Sequence, residues 1–145
     1  EKYMKKGDRV LDVGCGSGIL GIAAKICGAK SVYMCDIDAK AVEFATKNAE
    51  LNNVVATIEK ADLLEGEQQA DFIFANITAD ILMRFSKSIG KHLRENGTIV
   101  LSGIIDTRLD EVIQCYIARN EERKSLRQQS RRLHFLIWKN ILLMI

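Results

Sequence analysis

The 145-residue chain has no proline, no closely paired cysteines and no strong excess of charge of either sign. A net charge of +2 is too small to argue by itself for a nucleic-acid or membrane-surface partner, so no direct nucleic-acid contact and no membrane association are expected. Cys15, Cys27, Cys35 and Cys115 show no C-x-x-C spacing, and three of them fall in apolar segments. They read as reduced thiols of a cytoplasmic protein, without a disulfide or a metal site. The N-terminus has neither an apolar signal stretch nor an initiating Met, which reads as a chain that starts inside a longer protein. The apolar tail after position 132 is shorter than the ~20 residues a bilayer span needs. What is present is 48% apolar and 28% charged residues, the makeup of one globular domain with a real core.

The most informative stretch is Arg9 to Gly18, where an apolar strand-like run stops at three glycines spaced two apart and a helical pattern follows at once. Gly14, Gly16 and Gly18 can adopt backbone angles closed to other residues and carry no Cβ, so a ligand can lie against the main chain at a helix N-terminus. A dinucleotide fingerprint, G-x-G-x-x-G/A, requires a small residue in its third slot. Here that slot holds Ile19. The tighter G-x-G-x-G, with Asp12 two residues before the first glycine, resembles the first motif of class I S-adenosylmethionine (SAM)-dependent methyltransferases.

Strand and helix signals then alternate. Strands are expected at Arg9–Val13, Ser31–Asp36, Ala56–Ala61, Asp71–Ala75 and Thr98–Ser102, the last entered through a turn at Glu95, Asn96 and Gly97. Helices are expected at Ile19–Cys27, closed by Gly28; at Ala39–Asn52, capped by Asp38; at Thr78–Leu93; and at Thr107–Ala118, capped by Asp106. The long Thr78–Leu93 pattern places Ile81, Leu82, Phe85, Ile89 and Leu93 on one face. Strands separated by helices imply right-handed crossovers and an α/β, doubly wound, mostly parallel sheet with helices on both faces. Its ligand crevice lies at the carboxyl ends of the central strands. Residues 119–132 are basic and polar, read as a solvated loop or helix extension in preference to a grip on ribosomal RNA or an acidic protein surface. Leu133–Trp138 reads as a last strand, and Ile141–Ile145 as an apolar tail.

Several side chains converge on that crevice. Asp36 closes the second strand, where a carboxylate can accept hydrogen bonds from both hydroxyls of a ribose. Asp38, two residues on, is assigned to helix capping instead. Asp62 follows the third strand and can accept from the exocyclic amine of adenine, with Leu63 as an apolar wall; an ordinary turn aspartate is the other reading of Asp62. Asn76 ends the fourth strand, where an amide can orient the attacking atom or the amino-acid end of the cofactor, although Asn is also a common turn residue.

Together, Asp12-Val-Gly-Cys-Gly-Ser-Gly-Ile-Leu20, Asp36-Ile-Asp38, the helix end from Lys47 to Asn52, Asp71-Phe-Ile-Phe-Ala-Asn-Ile77 and Leu101-Ser-Gly-Ile104 resemble the catalytic domain of PrmA-type ribosomal protein methyltransferases over residues 7–118. That family methylates amino groups of the eleventh large-subunit ribosomal protein. The resemblance implies a SAM-dependent protein N-methyltransferase of the cytoplasm with a ribosomal protein substrate. It implies SAM contacts from Asp12, Gly14, Gly16, Asp36, Asp62 and Asn76, with Asn76 also facing the reacting amine. Cys15, Gly18, Ile37 and Leu63 complete the expected cofactor-binding set.

Three departures stand out. The family's N-terminal recognition domain, and the Gly/His/Thr-rich segment that closes over SAM, are not in this sequence. Ala39 stands where relatives often have Pro. The stretch after Ala118 lacks the expected Gly-Phe turn and acidic-Trp strand. The N5-glutamine methyltransferases use Asn-Pro-Pro-Tyr after the fourth strand, and this proline-free chain with Asn76-Ile-Thr-Ala79 does not fit them. Amine methylation needs alignment and a neutral amine rather than a catalytic triad. Neither His92, near a helix C-terminus, nor His134, in an apolar strand, reads as a base. The alternative is a SAM- or nucleotide-binding module without independent activity.

Overall fold

A computed structural model describes residues 3–64, 66, 68–126 and 134–137. The strands are β1 (Arg9–Val13), β2 (Ser31–Asp36), β3 (Thr57–Lys60), β4 (Ala70–Asn76), β5 (Leu93–Ser102) and β6 (His134–Ile137). The helices are α1 (Ile19–Ile26), α2 (Ala39–Leu51), α3 (Ala79–Ser86), α4 (Ile89–His92) and α5 (Leu109–Leu126), the last entered through a 3₁₀ turn at Asp106–Arg108. They build one six-stranded sheet in the order β3-β2-β1-β4-β5-β6, and every observed pairing is parallel. The order reverses between β1 and β4, and in sheets of this kind the ligand crevice belongs outside the carboxyl ends of the strands at that point.

The alternation of side chains along each strand divides the core in two. On one face Val10, Val32, Met34, Phe72 and Val100 pack with Ile22 and Ala24 of α1 and with Ala45 and Ala49 of α2. On the other, Leu11, Val13, Ile73, Ala75, Ile99 and Leu101 pack with Leu82 and Phe85 of α3 and with Val112 and Tyr116 of α5. Burial on both faces explains why the central strands read as unbroken apolar runs. Two of the expected caps are in place: the Asp38 side chain accepts from Lys40 N, and Gly28 follows the end of α1 at φ 99°. The third is not: Asp106 lies inside the 3₁₀ turn, whose N-cap position is Ile105, and α5 begins only at Leu109.

Several boundaries differ from the sequence expectation. The helix read as continuous over Thr78–Leu93 breaks after Ser86 and resumes for only four residues at Ile89–His92. Ser86 Oγ donates to Met83 O at 2.7 Å and Ser88 Oγ to Phe85 O at 3.2 Å, so two serine hydroxyls take carbonyls from the helical ladder. Leu82, Phe85, Ile89 and Leu93 are all buried despite the break, which is why periodicity alone did not reveal it. Leu93 instead opens β5, five residues before the expected start; the expected turn survives as an irregularity in the β4–β5 ladder, with Asn96 at φ 60°. Helix α5 continues past Ala118 into the basic run, the helix-extension reading of those residues. The last expected strand is present as β6, and the apolar tail at 141–145 lies outside the described residues.

Candidate functional site

The turn after β1 is fixed by the neighbouring strand. Gly14 N and Cys15 N both donate to Cys35 O, at 2.9 and 3.0 Å, and Gly18 N donates to Cys15 O at 2.8 Å. Gly14, Gly16 and Gly18 have φ of 69°, 55° and 78°, so all three need the left-handed region. Their surroundings differ. A Cβ on Gly16 would meet nothing within 4 Å, so its backbone faces open space. A Cβ on Gly14 would come within 2.1 Å of Ile77 Cγ2, and one on Gly18 would press on Ala45 and Met34. The main chain at Gly16 is thus open to close approach, while the missing Cβ at Gly14 and Gly18 admits close packing of the β4–α3 loop and of α2.

Asp36 stands at the carboxyl end of β2 and ties two loops together. Its Oδ2 accepts from Gly16 N at 2.9 Å and its Oδ1 from Asp38 N at 3.0 Å. Each carboxylate oxygen can accept more than one hydrogen bond, so the half-buried carboxylate can still receive two hydroxyls. Ile37, immediately after it, is 62% exposed, an apolar surface next to that carboxylate.

Asp12 lies beneath the turn rather than on the crevice wall. It is 1% exposed, and its Oδ2 accepts from Gly21 N in the first turn of α1 at 2.8 Å. Burial pushes its carboxyl up to about 7, the Gly21 N–H opposes this, and nearby Asp36 adds to it. The geometry makes Asp12 a support of the turn and of the start of α1. The Cys15 side chain likewise points into the α1–α2 core, so only its backbone lines the turn. Burial pushes the Cys15 and Cys35 thiols up to about 12, leaving neither a ready nucleophile.

Asp62 and Leu63 lie in the loop after β3, with Leu63 at φ 66°. Both Asp62 oxygens accept from the guanidinium of Arg84, Oδ2 from Nη1 at 3.0 Å and Oδ1 from Nη2. The sequence pattern carried no sign of this partner, which arrives from α3, the helix that follows β4. Asn76 is exposed at the carboxyl end of β4, and a Cβ on Gly103 would lie 3.1 Å from its Oδ1 and 2.8 Å from Ile77 O. The Asn76–Ile77 segment therefore sits between Gly14 and Gly103, two positive-φ glycines from different loops. Ile77, Gly103 and Arg84 all escaped the sequence reading as site residues.

His92 is 2% exposed, with Nδ1 3.1 Å from Gln68 O and its ring stacked on Phe85. Burial lowers its pKa. An open hollow of about 380 Å³ beside the turn is lined by Gly16, Ser17, Asp38, Lys40, Ala41, Phe44 and Asn48. It shares Gly16 with the crevice but includes neither Asp62 nor Asn76. Among the described residues no group of His, Cys, Asp and Glu could hold a metal, and no helix is long and apolar enough to cross a membrane.

A parallel sheet with this strand order, a three-glycine turn after β1 and a carboxylate closing β2 is the Rossmann-like fold of class I methyltransferases. More narrowly, the chain belongs to the ribosomal protein L11 methyltransferase (PrmA) family, whose model matches residues 1–131. It is 49% identical over 117 residues to the ribosomal protein L11 methyltransferase of Caldicellulosiruptor bescii, covering 80% of this chain and 38% of that protein. To the protein of the same name from Anoxybacillus flavithermus it is 50% identical over 115 residues, covering 77% of this chain and 37% of the relative. The chain thus spans well under half the length of these relatives. The crystal structure of a ribosomal protein L11 methylase from Lactobacillus delbrueckii subsp. bulgaricus superposes with a TM-score of 0.79 at 38% identity, over 82% of this chain and 63% of that one.

Proposed function

We propose that this chain binds SAM in the crevice above Gly16 and carries the site of methyl transfer to amino groups of a ribosomal protein, as its relatives' names imply. The observation that carries the reading is the Asp36–Gly16 hydrogen bond beneath open space: one carboxylate fixes the turn and still offers acceptors to a ribose. The residues suit the group. Gly16 admits a close approach to the main chain, Asp36 matches vicinal hydroxyls, and Ile37 and Leu63 offer apolar surface to a purine.

SAM supplies an electrophilic methyl group on a cationic sulfur. The chain's task is to present a neutral amine in line with that carbon, since lysine in water has a pKa of about 10.4 and its lone pair is occupied. Asn76, exposed at the end of β4, can accept an N–H of the incoming amine through Oδ1 and so aim the nitrogen lone pair. Packing of Ile77 against Gly14 holds that residue at the crevice edge. A ribosomal protein substrate puts this activity in the cytoplasm.

Calorimetric titration with SAM, S-adenosylhomocysteine and NAD tests the binding half: the first two bind and NAD does not. Tight NAD binding with no response to SAM would overturn it. Transfer of a tritiated methyl from SAM to the ribosomal protein tests the rest. The second reading is a SAM- or nucleotide-binding module without independent catalytic activity. Binding of SAM with no transfer, under conditions where an intact relative is active, identifies that case.

A further inference from the structure

The pairing of Asp62 with Arg84 is the feature that the reading above leaves unused. Arg84 projects from α3 between Leu82 and Phe85, whose side chains are fully buried in the core, so its backbone is rigidly placed. Its guanidinium reaches the loop after β3 and meets both Asp62 oxygens as a fork. An exposed aspartate in a loop samples several rotamers and is hydrated in each. A two-point fork removes that freedom, setting both the position and the plane of the carboxylate. Each oxygen keeps a further acceptor site outside the fork.

We propose that Arg84 is a positioning residue for adenine recognition, acting through Asp62. The inference rests on the SAM-binding reading. In this arrangement Arg84 donates to both oxygens and fixes the plane of the carboxylate, and the acceptor site left on either oxygen is the one Asp62 would offer to the exocyclic amine of adenine. Arg84 itself does not touch the ligand. Because the pair is about half exposed, the ion pair contributes little to folding; its effect falls on orientation and therefore on binding.

The test is titration of S-adenosylhomocysteine into the wild-type chain, Arg84→Met, Arg84→Lys, Asp62→Ala and the Asp62→Ala/Arg84→Met double variant, with folding of each checked by circular dichroism. Arg84→Met weakens binding about 3- to 10-fold, the scale of one hydrogen bond made less well. Arg84→Lys behaves like Arg84→Met, because an ammonium keeps the charge but cannot form the fork. The double variant binds no more weakly than Asp62→Ala alone, a non-additivity that a merely structural role for Arg84 would not produce. Unchanged or tighter binding by Arg84→Met, full affinity in Arg84→Lys, or additive losses in the double variant would each overturn the inference. A wild-type chain that does not bind the ligand at all would instead sink the SAM reading and the inference with it.

Discussion

Asp36 Oδ2 lies 2.9 Å from Gly16 N, so the carboxylate that closes β2 also fixes the glycine turn that follows β1. Its other oxygen takes Asp38 N, which leaves capping of α2 to the neighbouring Asp38 side chain. Two aspartates two residues apart therefore have separable tasks, one at the crevice and one at a helix start.

Asp36→Ala should lose about 2–4 kcal/mol of SAM affinity, through the lost ribose acceptors together with the freed turn. Asp38→Ala should leave affinity nearly intact and cost about 1 kcal/mol of stability through the lost cap. Calorimetric titration and urea unfolding of both variants read the two quantities separately. The reverse pattern would show the assignments exchanged.

Gly14→Ala should destabilise the fold by about 1–3 kcal/mol, because the new methyl group runs into Ile77 Cγ2. Adding Ile77→Ala removes that collision and should recover part of the loss, the strain of φ 69° remaining. Urea unfolding of the single and double variants checks this. Lack of any recovery would mean that backbone strain, not the contact with Ile77, sets the cost.

Asp12 gives the protein a pH dependence of definite sign. Its carboxyl is raised from 3.8 to about 7 in the folded chain, chiefly by burial. Across that window the folded state holds a proton that the unfolded state has released, so this group's contribution to stability falls as pH rises. Asp12→Asn, which retains an oxygen acceptor for Gly21 N–H, should therefore gain stability relative to the wild type on going from pH 5 to pH 8. The comparison needs only denaturant unfolding of both proteins at the two pH values; a difference independent of pH would contradict the assignment.

Asn76→Ala should leave SAM affinity within a few-fold of the wild type and reduce methyl transfer about 10²-fold, the scale at which misaligned reactants lose rate. Tritiated-methyl transfer at saturating SAM, with binding measured in parallel, separates the two. An equal loss in both would place Asn76 on the cofactor rather than at the amine.

Much of this protein is legible along the chain because its signals are local. An apolar run ending in Gly14-Cys-Gly16-Ser-Gly18, a carboxylate closing the next strand, and helix starts at Asp38 and ends at Gly28 are all fixed by backbone chemistry within a few residues. These determined the doubly wound order and the place of the crevice. Tertiary structure decided what lies far apart in sequence. Serine hydroxyls competing for carbonyls broke a helix whose apolar periodicity ran on unbroken, and β4 pairing drew Leu93 into β5. Likewise, Ile77 fills the space over Gly14, and Arg84 crosses from α3 to grip Asp62, because packing places side chains 63 and 22 residues from their partners in contact. Sequence sets which backbone conformations are affordable at each position; only the packed fold sets which distant side chains then share a wall of the crevice.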